Sequence, residues 1–231
     1  MKNVILISLG ERDRFLTDGA DFLAAREGVA VADVSRLDNL AERALRPQDG
    51  VIASCFARKG AYVVGCSRPR AARALLESAG IACADLAIDW VALPFDREAL
   101  KREPGTPWYP VIDRARCSDC GTCRDYCLFS VYGGGDGAVR VQAPLNCKTG
   151  CPACARLCPE AALIFPFCAE AELNGEIDEP ARRAPDALAD ALGDDPMRVL
   201  AERRDRRRLI DPAKFGQAER ERAAHSGGAG E

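Results

Sequence analysis

"CSDCGTCRDYC", Cys117 to Cys127, places four thiols in one short segment at the spacing C-x2-C-x2-C-x3-C. A second run, "CKTGCPACARLCP", sets Cys147, Cys151, Cys154 and Cys158 at C-x3-C-x2-C-x3-C, with Pro159 behind it. The arrangement is an internal repeat. Thiolates two residues apart on a tight loop can converge on three corners of an iron–sulfur cube while the loop's amides point at the sulfurs, and a fourth iron then takes its ligand from elsewhere. Zinc prefers tetrahedral sites built from two C-x2-C pairs or from cysteine with histidine, a layout that a triple spacing occurring twice does not suit. Disulfides belong to oxidising compartments.

Outward from these runs, the chain reads as an ordinary globular protein. Its 231 residues, 48% of them hydrophobic, are enough for one or two domains with a real core. The formal net charge of -3 gives no global case for nucleic acid or an acidic membrane as partner. No apolar run is long enough for a membrane span. The opening "MKNVILISLGERDR" reads as a first strand, because its apolar run stops at Gly10 before a charged cluster with no small-residue cleavage site. A cytoplasmic location is therefore expected, in which the twelve cysteines stay reduced and metal or cluster binding accounts for them.

Residues 1–105 alternate short apolar runs with helical patterns. "VILISL" (Val4 to Leu9) and "VAVADV" (Val29 to Val34) suit buried strands, as do "VIASC", "AYVVGC" and "CADLAIDWV". "RLDNLAERAL" and "PRAARALLESAG" have helical spacing, and Gly80 closes the second. This alternation predicts an α/β domain with a largely parallel sheet. The dinucleotide fingerprint G-x-G-x-x-G does not follow the first strand. "REPGTPWYP" (Arg102 to Pro110) is proline-rich and reads as a linker, so that residues 106–168 form a second domain. Residues 169–231 read as a tail, acidic and then basic, partly helical around "MRVLAERRDRRRLI" and partly disordered at "AAHSGGAGE".

"YPVIDRARCSDCGTCRDYCLFSVY" and "PLNCKTGCPACARLCPEAALIFP" together resemble a bacterial-type ferredoxin carrying two [4Fe-4S] clusters. The resemblance implies an α+β domain of two pseudo-symmetric halves, each a strand, a cluster loop, a short helix and a strand. "PVID" and "AVRVQA" would enter the loops, and "SVY" and "ALIF" would leave them. It also implies crossed ligands, since the fourth cysteine of such a run serves the other cluster. Cluster I would take Cys117, Cys120, Cys123 and Cys158, and cluster II Cys147, Cys151, Cys154 and Cys127. Two departures from the family stand out. Leu128 replaces the usual proline, and the spacing from Cys147 to Cys151 is one residue longer, with Gly150 supplying conformational room. Leu128, Phe129, Val131, Tyr132, Leu157, Leu163, Ile164 and Phe165 are expected to shield the clusters from water, or to serve as ordinary core.

Four further cysteines, Cys55, Cys66, Cys83 and Cys168, lie outside the runs. Cys66 ends a strand before a helix in which Ser67 is a candidate N-cap and Pro69 sits in the first turn. Such a thiol beside Arg68 and Arg70 is either activated or a buried small residue. "VVGCSRPRAARALLESAG" is weakly similar to the N-terminal part of a heterodisulfide reductase component, which implies membership of a larger redox assembly. The expected function is an electron-transfer protein serving a redox partner, with no catalytic residue of its own. Two alternatives are an oxidoreductase component whose front domain binds a flavin or substrate, and an iron–sulfur redox sensor. Histidine chemistry is excluded, because His225 lies in the tail.

Overall fold

The structure is a computed structural model that describes residues 2–10, 13–94, 106–134 and 137–181. These residues belong to one compact unit, residues 1–183. The expected helix at "MRVLAERRDRRRLI", the disordered end and the start of the proline-rich stretch lie outside the described residues.

The front segment runs β1 (Asn3–Ile7), α1 (Asp13–Glu27), β2 (Ser35–Leu37), α2 (Leu40–Arg43), α3 (Val51–Cys55), β3 (Tyr62–Cys66), α4 (Pro69–Ser78) and β4 (Ile88–Ala92). Its four strands form a parallel sheet in the order β2-β1-β3-β4, with Ile5 opposite Ser35 on one side and Val64 on the other. The run "VILI" is apolar throughout because β1 is covered on both faces. Val4 and Leu6 meet Leu23 of α1 and Val63 of β3 on one face. Ile5 and Ile7 meet Leu40, Ile52, Val64, Ala71 and Leu75 on the other.

Two expected strands turn out otherwise. "VIASC" is the helix α3, not a strand: only Ile52 is buried along it, so no second apolar face calls for a sheet position. The β-branched content of "VAVADV" yields a 3-10 turn at Val31–Asp33, and the strand begins afterwards at Ser35. The helix in "RLDNLAERAL" shrinks to one turn, since Asn39 takes a left-handed φ of 49° at its N-cap while Leu37 stays in the sheet. Ser67 does not cap α4 either. Arg68 occupies the N-cap with no capping side-chain hydrogen bond, Pro69 sits at the start as expected, and Gly80 (φ 92°) follows the end.

Beyond residue 106 come β5 (Val111–Ile112), α5 (Thr122–Tyr126), β6 (Tyr132–Gly133), β7 (Arg140–Val141), α6 (Ala153–Leu157), β8 (Leu163–Ile164) and α7 (Ala171–Asn174). β5 pairs antiparallel with β8, and β6 antiparallel with β7. The strand entering the first cysteine run is thus bonded to the strand leaving the second. Ile112, Val131, Tyr132, Leu163 and Phe165 form the apolar centre of this half.

The two halves share buried surface. Tyr109, Val111 and Ile164 join the core beneath the parallel sheet, and the Tyr109 hydroxyl donates to the Ala41 carbonyl. In an open parallel sheet, ligands favour the crevice at the carboxyl ends of the strands where the order reverses, which here lies between β1 and β3. That crevice is filled by protein. A Cβ on Gly10, just past β1, would lie 2.8 Å from the Phe167 ring. Arg68, fully buried past β3, donates to the Pro166 carbonyl and, at 3.5 Å, to that of Asn174.

Candidate metal centre

Each cysteine run is shaped by a few backbone devices. In the first, the Asp113 carbonyl accepts from the amides of Arg116 (3.2 Å) and Cys117 (3.0 Å), turning the chain out of β5. Asp119 (φ 53°) and Gly121 (φ 81°) then wrap the loop, and α5 carries Cys123 before Cys127 ends the helix. The Asp119 carboxylate braces the loop by accepting from the Val139 amide at 2.9 Å and from Arg114 at 3.1 Å. Chiefly through the Val139 amide, its carboxyl is held below the usual range.

In the second run, a 3-10 turn at Pro144–Asn146 presents Cys147, and α6 carries Cys154 before Cys158 ends it. The longer spacing between Cys147 and Cys151 uses the conformational freedom of Gly150, which adopts φ 75°. α5 and α6 pack against each other, so the two runs face one another.

The thiols fall around two cavities. Cys117, Cys120, Cys123 and Cys158 line the first, a tight cavity of ≈ 20 Å³. Cys127, Cys147, Cys151 and Cys154 line the second, an open cavity of ≈ 400 Å³. Each therefore draws three cysteines from one run and one from the other. Among the described residues, no group of three or more His, Cys, Asp or Glu converges closely enough to hold a single metal ion. The donor set in each cavity is nevertheless four soft thiols of the kind that iron–sulfur clusters use.

The electrostatics are those of thiols crowded in a partly dry place. Burial, followed by the neighbouring Cys154, Cys158 and Cys117, pushes the Cys123 thiol up to about 12. Cys147 is pushed to about 12 by burial and then by Cys154, Cys151 and Cys127. Cys154 is raised to about 11 by burial, opposed by the Tyr132 hydroxyl, which donates to its sulfur at 3.0 Å. Cys120 is exposed and shifted down, mainly by the Thr122 hydroxyl 3.3 Å away. The Ala162 amide donates to Cys158 Sγ at 3.3 Å.

Several of the expected shielding residues are buried, namely Val131, Tyr132, Leu163, Ile164 and Phe165. Leu128 is not: it is 90% exposed at the rim of the second cavity, beside the exposed Tyr126 and Phe129. Cys66 and Cys83 are buried in the core of the front segment, with Cys55 packed half-buried against it. Burial pushes the Cys83 thiol up to about 11. Cys168 is buried with the second run. None of these four lines either cavity.

A known protein shares part of this chain. Over 73 residues, 31% of its length, the chain is 40% identical to an uncharacterised ferredoxin of Methanocaldococcus jannaschii. The chain spans about half the length of that relative. No family model matches the chain, and no solved structure matches it.

Sequence patterns do not reach the groups that hold the thiols from outside the runs. Asp113 braces the first run and is 1% exposed, and it forms a 2.7 Å ion pair with the fully buried Arg70 of α4. An aspartate inside the apolar "PVID" strand is the available signal, because a charge in such a position calls for a buried partner. For Tyr132 the pattern shows the apolar ring and not the use of its hydroxyl.

Proposed function

We propose that the chain is an iron–sulfur electron-transfer protein that holds two [4Fe-4S] clusters. Cys117, Cys120, Cys123 and Cys158 hold one, and Cys147, Cys151, Cys154 and Cys127 hold the other. When bound, such clusters accept and release single electrons. The observation that carries the reading is the crossed lining of the two cavities, with three thiols from one run and one from the other in each. The likeness to a ferredoxin over 31% of the chain points the same way.

The protein's own part is to exclude water, direct donors at the sulfurs and present a docking face. Val131, Tyr132, Leu163 and Phe165 do the first. The Ala162 amide and the Tyr132 and Thr122 hydroxyls do the second. The exposed Leu128, Tyr126 and Phe129 beside the second cavity are the face for a redox partner protein, which we take to belong to a larger assembly of the heterodisulfide reductase kind. The front segment favours this carrier role over flavin or substrate binding, because Phe167 and Arg68 fill the crevice where a parallel sheet would take a ligand.

Anaerobically prepared protein should hold about eight irons and eight acid-labile sulfides per chain. Cys158→Ala should damage the cluster of the first run and Cys127→Ala that of the second, as read by iron analysis and paramagnetic resonance of the reduced protein. Stoichiometric zinc without visible absorption would overturn the clusters. Damage confined to each mutation's own run would overturn the crossed ligation.

A further inference from the structure

Arg70 belongs to the front segment, yet its guanidinium ends among the supports of the first cavity. It is 1% exposed, and its Nε donates to Asp113 Oδ2 at 2.7 Å. Its Nη2 donates to the Ala161 carbonyl. The other side of that same peptide is the Ala162 amide, which donates to Cys158 Sγ at 3.3 Å. Asp113 ties in once more: its backbone amide donates to the Ala162 carbonyl at 2.8 Å, and its carbonyl accepts from the Cys117 amide at 3.0 Å. One cationic side chain thus reaches the sulfur of Cys158 through a single peptide unit and holds the segment that begins at Cys117.

A charged donor on a peptide oxygen polarises that peptide and makes its N–H a stronger donor, an effect that a dry setting enhances. A stronger N–H···S bond favours the more negative, reduced form of a cluster and so raises its potential. We propose that Arg70 is a positioning residue that sets the reduction potential of the cluster ligated by Cys158, acting through the Ala161–Ala162 peptide, and leaves the other cluster untouched. This rests on the ligand assignment proposed above. The second cavity has a separate sulfur donor, the Tyr132 hydroxyl on Cys154, which Arg70 does not touch.

The test uses the full chain, loaded anaerobically, with the two cluster signals first assigned by Cys158→Ser. Redox titration monitored by paramagnetic resonance then compares wild type with Arg70→Met/Asp113→Asn. That double change leaves no unpaired buried charge, and an amide oxygen at position 113 can still accept from the Ala115 amide, as Asp113 does at 3.2 Å. The expected result is a lower potential for the Cys158 cluster and an unchanged potential for the other. Unchanged potentials for both, or equal shifts of both, would overturn the relay. If the double variant takes up no iron, Arg70→Gln/Asp113→Asn decides, since it removes the charge from the Ala161 carbonyl while keeping two neutral amides that can pair with each other. A selective fall of the same sign supports the relay, and no fall overturns it. Iron and sulfide analysis separates the two failures. Wild type without clusters brings down the ligand assignment and the relay with it, whereas two intact clusters without a selective shift bring down the relay alone.

Discussion

Gly175 and Gly80 make a controlled pair of perturbations. Both follow helices with left-handed backbone, at φ 80° and 92° respectively. A Cβ at Gly80 would meet nothing within 4 Å, whereas one at Gly175 would lie 2.8 Å from Ala71 Cβ and 3.0 Å from Ala71 N. Gly80→Ala should therefore cost only the left-handed strain of an L-residue, about 1–2 kcal/mol. Gly175→Ala should carry that strain plus overpacking of about 1–3 kcal/mol, because the obstacle includes α4 backbone that cannot rotate away. Together these give a loss of about 2–5 kcal/mol. Urea unfolding followed by far-ultraviolet circular dichroism reads both losses as midpoint shifts at constant slope. Equal losses for the two variants would refute the seating of the segment after β8 on α4.

Other expectations are more local. Under the proposed ligation, Tyr132→Phe should lower the potential of the cluster at Cys154 alone and cost about 0.5–1.5 kcal/mol for the lost hydrogen bond, read by redox titration and urea unfolding. The Cys83 thiol is raised from 9.0 to about 11, chiefly by burial, so its contribution to stability is full below pH 9 and is lost as pH climbs through about 11. Stability measured across that window should fall less in Cys83→Ala than in wild type. Leu128→Asp, at a side chain 90% exposed, should leave the unfolding midpoint within about 0.5 kcal/mol of wild type. A larger loss would mean that Leu128 is packed and does not form part of an open face.

The features legible in the sequence are those whose cause is local. Thiol spacing is local, and it marks the eight cysteines, whose gathering from two distant runs around two cavities is not local. The parallel sheet is legible because β1 and β3 are buried on both faces and read as unbroken apolar runs. α3 is not, because β-branched Val51 and Ile52 look like a strand in isolation, and only their neighbours reveal that one of them alone is buried. The turn at Val31–Asp33 hides in the same way. Least legible are Arg68 and Arg70. Each looks like a solvated cation beside a proline, and each is buried because carbonyls from a distant segment meet it.

Those two arginines also bear on how the chain reaches its native state. Their partners lie 98, 106 and 91 residues further along, at Pro166, Asn174 and Ala161. A ribosome adding about 5–20 residues per second would leave the parallel sheet waiting several seconds for them. Contacts this remote carry a large loop-closure cost and form late. During that interval two cations stand uncovered at the open end of the sheet. The sealing of the sheet therefore follows synthesis of the second cysteine run, so that a chain ended before Ala161 should leave its front half susceptible to protease.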